Sequence, residues 1–170
     1  MCSSDLGDAG PTGRYASVRL TGDGNGNATL DGNATVLFGA SPYNDLTFYS
    51  SIVGSTLTLA PTVLVHGQSG RLGASYANTG IVNQGTISAD VAGGTITVVA
   101  SPFVNQGVVE ARNGGTLSLQ GTWGEGGTFR AAGGTVEAGG TTTIGAIEAI
   151  AVSSGGQVSV TGTIDASQQA

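Results

Sequence analysis

One phrase returns five times in this chain, and its spacing restricts the fold more than any other feature. It reads Gly85-Thr-Ile-Ser-Ala89, Gly107-Val-Val-Glu-Ala111, Gly127-Thr-Phe-Arg-Ala131, Gly145-Ala-Ile-Glu-Ala149 and Gly162-Thr-Ile-Asp-Ala166. The starts lie 22, 20, 18 and 17 residues apart. A repeat this short, rich in β-branched residues, cannot cover its own apolar face. It has to stack on copies of itself.

A second phrase lies between copies of the first: Gly93-Gly-Thr-Ile-Thr-Val98, Gly114-Gly-Thr-Leu-Ser-Leu119, Gly133-Gly-Thr-Val-Glu-Ala138 and Gly155-Gly-Gln-Val-Ser-Val160. Polar and apolar residues alternate in it, as in a strand with one buried face. The phrases keep the same order along the chain with no reversal, which favours parallel stacking over an array of hairpins. The predicted fold is therefore all-β, a single-stranded parallel β-helix (β-solenoid), part of a longer stack.

Stacking predicts columns. The third position (Ile87, Val109, Phe129, Ile147, Ile164) forms an inner apolar column, the fifth is Ala throughout, and Ile96, Leu117, Val136 and Val158 face them. Each large side chain withdrawn from water contributes about 1.5–3 kcal/mol before entropy is subtracted. The fourth position is read as pointing outward, and Glu110, Arg130, Glu148 and Asp165 then form a surface ladder of alternating sign on rungs about 4.8 Å apart. As exposed pairs they would be worth about 0–1 kcal/mol each. Asn83 and Asn105 align as a second, amide ladder. Val109→Asp is expected to disorder the stack, and outward Ser118→Asp to be nearly silent.

Three segments are expected. Residues 1–6 match one reading frame of a common sequencing-adapter end and read as a non-native scar. Residues 7–54 read as irregular β-rich rungs or a cap, and residues 55–170 as the regular β-helix repeats.

Composition narrows the chemistry. The chain has 170 residues, no Lys, five Arg and eleven acids, for a formal charge of −6. Such a surface is a poor partner for nucleic acid, whose affinity comes largely from phosphate neutralisation. No apolar run is long enough to insert in a membrane. The lone cysteine excludes an internal disulfide. One His and one Cys supply no metal set, so no cofactor is expected. His66 reads as a turn residue with no nucleophile beside it. Asp23-Gly-Asn25-Gly-Asn27 opens like a calcium loop, but Ala28 and Ala34 stand where a Gly and a bidentate Glu belong, so a solvated turn is expected. Glu110, Glu148 and Asp165 invite a glycosidase or lyase reading. Arg130 interrupts them, no adjacent acid pair appears, and no Lys is available as a base.

Leu57-Thr-Leu-Ala-Pro-Thr-Val-Leu-Val-His-Gly67, Val82-Asn-Gln-Gly-Thr-Ile87 and Asn113-Gly-Gly-Thr-Leu117 resemble the repeat regions of adhesin-like, autotransporter-passenger-like bacterial surface proteins. The resemblance covers about two-thirds of the chain. It implies a right-handed parallel β-helix, extracellular or at the cell surface and outer membrane-associated, serving as a stalk or adhesive display surface and not as an enzyme. It implies as partners a host surface or extracellular glycan, with the remainder of the same polypeptide stacked on its ends. No family active site carries over. The alternatives are a carbohydrate-active β-helix whose catalytic residues lie partly outside this segment, and a β-sandwich binding module.

Overall fold

A computed structural model describes residues 3–6, 15–76 and 79–167. The chain winds as a three-faced β-solenoid in which every strand-to-strand pairing is parallel. β1 (Ser3–Leu6) comes first. The coils then run through β2 (Ser17–Thr21), β3 (Ala28–Leu30) and β4 (Thr35–Phe38); β5 (Asp45–Tyr49), β6 (Thr56–Leu59) and β7 (Leu64–Gly67); and β8 (Gly70–Ala74), β9 (Gly80–Asn83) and β10 (Thr86–Ala89). After these come β11 (Thr95–Asn105) and β12 (Val108–Arg112), then β13 (Thr116–Trp123) and β14 (Thr128–Ala132). The last coils are β15 (Thr135–Ala138), β16 (Thr141–Thr143), α1 (Ile144–Glu148) and β17 (Ala151–Ser153), then β18 (Gln157–Val160) and β19 (Thr163–Asp165).

Face A stacks β1, β4, β7, β10, β12, β14 and β17; face B stacks β2, β5, β8, β11, β13, β15 and β18. Face C carries β3, β6 and β9, the far ends of β11 and β13, and then β16 and β19. β11 and β13 are long because each turns the B–C corner unbroken, with a register shift between Ala100 and Phe103. A sandwich of antiparallel sheets is thereby excluded.

The coils tighten along the rod. On face B, Asp45 lies 28 residues after its partner Ser17, whereas Glu137 lies only 19 after Ser118. The strands between residues 17 and 49 pair in register with the rungs above them, so this turn-rich stretch belongs to the same three faces.

The repeated glycines have backbone reasons. Gly114 has φ +78°, which L side chains rarely adopt, and a Cβ on its neighbour Gly115 would meet the Ala89 carbonyl oxygen at 2.5 Å. The double Gly therefore combines a left-handed turn with a close approach of the previous coil.

The inner columns follow the sequence reading over the middle rungs. Val65, Ile87, Val109 and Phe129 stand one above another. Ile96, Leu117, Val136 and Val158 do the same on face B. The constant Ala is explained by Ala89, Ala111 and Ala131, which are fully buried in a narrow corner. One rung earlier that corner holds Gly67, above Phe38, and the Phe38 ring lies where a side chain on Gly70 would collide at 2.5 Å.

The last two copies of the phrase depart from the columns. Gly145-Ala-Ile-Glu-Ala149 falls on α1 and its C-cap, started by Thr143, whose side chain accepts from Ala146 N. The chain rejoins face A only at Ala151, which pairs with Arg130, and Ile150 is the buried apolar residue of that rung in place of Ile147. Ile164 belongs to face C, opposite Thr142. One helical turn has shifted the phrase relative to the coil.

Candidate functional site

The outer side of face A carries a polar column that links four rungs. His66, Ser88, Glu110 and Arg130 occupy successive partner positions on β7, β10, β12 and β14. His66 Nδ1 lies 3.0 Å from Asp90 Oδ2, and Asp90 Oδ1 accepts from Gly67 N at 3.1 Å. Ser88 Oγ donates to Glu110 Oε1 at 2.9 Å. Glu110 also accepts from Arg112 Nη1 at 3.3 Å and from Arg130 Nε at 2.8 Å.

Outward does not mean exposed here. The Glu110 side chain is only 6% accessible, while those of Arg112 and Arg130 are about half accessible. The two guanidinium stems cover the carboxylate and keep their own heads wet. Burial pulls the Glu110 carboxyl upward, but the Ser88 hydroxyl and the two arginines outweigh it and hold it below the usual glutamate range.

Glu148 and Asp165 do not stand in this column. Glu148 is exposed at the end of α1, and Asp165 pairs with Thr143 on face C. The expected four-member ladder is therefore one buried carboxylate braced by two arginines. Sequence reasoning missed Arg112, which lies outside the repeated phrase.

His66 also differs from its expected place. It lies in β7, not in a turn, with Ser88 on the next rung and Asp90 on its Nδ1. The residue types resemble a hydrolytic triad, but the Ser88 proton is directed to Glu110 and Ser88 is 3% exposed. A nucleophile must reach substrate, so the group is built as a brace between rungs.

Asn83 and Asn105 stack inside the C–A corner. Asn83 Nδ2 donates to Asn105 Oδ1 at 2.9 Å and to the carbonyls of Gly85 and Val108. Asn105 Nδ2 donates to the carbonyls of Gly126 and Thr128. Both are buried, and they continue a column that begins with Leu30 and Leu59. Among the described residues, Asn83 Oδ1 has no partner, because Leu59 occupies the adjoining position.

The Asp23 turn uses its oxygens on the chain itself. Asp23 Oδ1 accepts from Asn25 N and Asn27 N, and Asn27 Oδ1 accepts from Thr56 N. Among the described residues, no group of three or more His, Cys, Asp or Glu could hold a metal ion, and no helix is long and apolar enough to cross a membrane.

A cavity of about 490 Å³ opens beside α1, lined by Glu125, Glu148 and Asp165 together with Thr143 and Gly145. Asp165 accepts from Ser167 N at 2.9 Å, which holds its carboxyl below the usual aspartate range. Two acids singled out from the sequence thus line one cavity, with Glu125 and away from Glu110. Compared with known proteins, the chain matches no family model, no curated protein and no solved structure.

Proposed function

We propose that this chain is a structural and adhesive repeat segment of a secreted or surface-exposed bacterial protein, of the adhesin-like, autotransporter-passenger-like kind. It acts as a stalk that displays regular faces to a host surface or extracellular glycan. The observation that carries this reading is the parallel stacking from β2 to β19, held by an amide ladder inside one corner and by the Ser88–Glu110–arginine group on the outer side of face A. The buried polar groups hold rung to rung, which suits a stalk built of stacked coils. Beads coated with the protein are expected to be retained under flow on glycan-coated or host-cell surfaces, and to lose that retention when Val109→Asp unfolds the stack. Retention equal to that of bare beads would overturn the proposal.

A second reading rests on the cavity beside α1. Asp165, Glu148 and Glu125 all line it, and a carbohydrate-active site would use two such carboxylates, one to activate water or attack and another to protonate the leaving oxygen. New reducing ends from neutral or acidic polysaccharides, abolished by Glu148→Gln, would establish it in place of the first. Absence of turnover would remove it.

A further inference from the structure

The outer surface of the first face-B rungs differs from the rest of the rod. All four tyrosines of the chain lie in its first 76 residues. Tyr49 and Tyr76 meet with ring centroids 5.0 Å apart and hydroxyl oxygens 2.7 Å apart. The Arg19 guanidinium carbon lies 3.3 Å from the Tyr49 ring centroid. Among the described residues Arg19 forms no ion pair, so its charge rests on an aromatic face.

The strand register explains the assembly. Ser17, Asp45 and Arg71 form one outward column, Arg19, Thr47 and Gly73 the next. A Cβ on Gly73 would meet the Arg71 guanidinium carbon at 2.3 Å, so the missing side chain lets that group lie over the strand while it pairs with Asp45 at 3.1 Å. The result is a cavity of about 380 Å³ lined by Arg19, Tyr49 and Thr47 and by the Arg71–Asp45 pair, which leaves Arg19 as the cation in its wall not paired with an acid among the described residues. A second dent, of about 210 Å³, is lined by Tyr76 and Thr79. Ser75 lines both, so the two adjoin.

We propose that this face binds an acidic oligosaccharide, a chain of uronate-type sugars lying across both dents. The carbon-bound hydrogens of a pyranose ring pack on an aromatic surface, here that of Tyr76, which is 44% exposed. The Arg19 guanidinium matches a sugar carboxylate in a planar, two-point manner, whereas the guanidinium groups of Arg71, Arg112 and Arg130 are already paired with carboxylates. The hydroxyls of Ser17 and Ser75 both donate and accept, and that of Thr47, whose proton goes to Asp45 Oδ2, still accepts, which suits sugar hydroxyls. Two adjoining dents call for an oligomer. The rod's net charge of −6 opposes long-range attraction of a polyanion, so selectivity arises at contact. The inference rests on the display reading and deepens it by giving one face a ligand class.

The test titrates the full chain with a galacturonate tetramer and, separately, a neutral glucose tetramer, by calorimetry and amide chemical shifts. The acidic tetramer should bind about tenfold tighter or more, the size of one charge-assisted contact, with shifts confined to the strands and loops that line the two dents, residues 17–21, 45–49, 71–76, 79 and 99–101. Arg19→Ala should remove the preference, and Tyr76→Ala should weaken both ligands. Both side chains are exposed, so thermal midpoints should stay unchanged. No binding, equal affinities, shifts elsewhere, or a preference that survives Arg19→Ala would each overturn the site. Bead retention separates the two proposals. Adhesion without uronate binding removes the site and leaves the display reading; uronate binding by beads that do not adhere removes the display reading and leaves the site.

Discussion

The rungs around Val109 and the rungs after α1 are written in the same phrases but live in opposite surroundings. Ile87, Val109 and Phe129 lie between coils on both sides and are almost wholly buried. Val152, Val160 and Ile164, on β17, β18 and β19, are 56%, 48% and 41% exposed. Nothing intrinsic to the phrase buries it. The coil above and the coil below do, so stability here is a nearest-neighbour property.

The largest expected contrast follows directly. Val109→Asp places a charge between two covered rungs and should cost about 4 kcal/mol or more, enough to unfold the middle of the stack. Ile164→Asp should cost about 1 kcal/mol or less, because that side chain already meets water. Urea midpoints of the two variants check this, and equal losses would break the comparison.

A finer contrast separates two neighbouring core positions. Leu57 pairs with Ile81, whereas Leu59 pairs with Asn83, whose Oδ1 lacks a donor. Leu57→Asn buries an amide among apolar groups. Leu59→Asn extends the amide ladder by one rung and supplies the missing donor. It should be milder than Leu57→Asn by about 1–2 kcal/mol in the same urea experiment.

The acids give a third contrast. Glu110→Ala removes the carboxylate that joins Ser88, Arg112 and Arg130 and should cost about 1–3 kcal/mol. Glu148→Ala, at an exposed position on α1, should change stability by about 0.5 kcal/mol or less. The smallest effect is in pH. The folded-state value of Glu110 is depressed, so its contribution is complete above the usual glutamate range and is lost as pH falls through the depressed value. Thermal midpoints from pH 7 to pH 3 should fall less steeply for Glu110→Gln than for the native chain.

Much of this was legible in the sequence, for a physical reason. Parallel in-register stacking puts like residue on like, so a column such as Ile96, Leu117, Val136 and Val158 can be read from spacing alone. Stacking failed as a guide where local chemistry changed the path. Thr143 caps a single helical turn, and the phrase at 145–149 drops out of register although its letters still match.

The side of a strand was also easier to read than its exposure. Ser118 does face outward, but it is 5% exposed, accepts from Gln120 Nε2 and stands next to Glu137. Ser118→Asp would meet that acid in a covered position, so the near-silence expected from alternation does not hold. The Tyr49–Tyr76–Arg19 cluster had no periodic signal, because its members come from three coils at unlike positions of the repeat.

The central claim is that successive coils run the same way with like residues in contact. Amide contacts measured by NMR between β10 and β12 test it most directly. The account predicts contacts joining Thr86 to Val108 and Ala89 to Ala111 together. Contacts joining Thr86 to Ala111 and Ala89 to Val108, the crossed pattern of antiparallel neighbours, would contradict it.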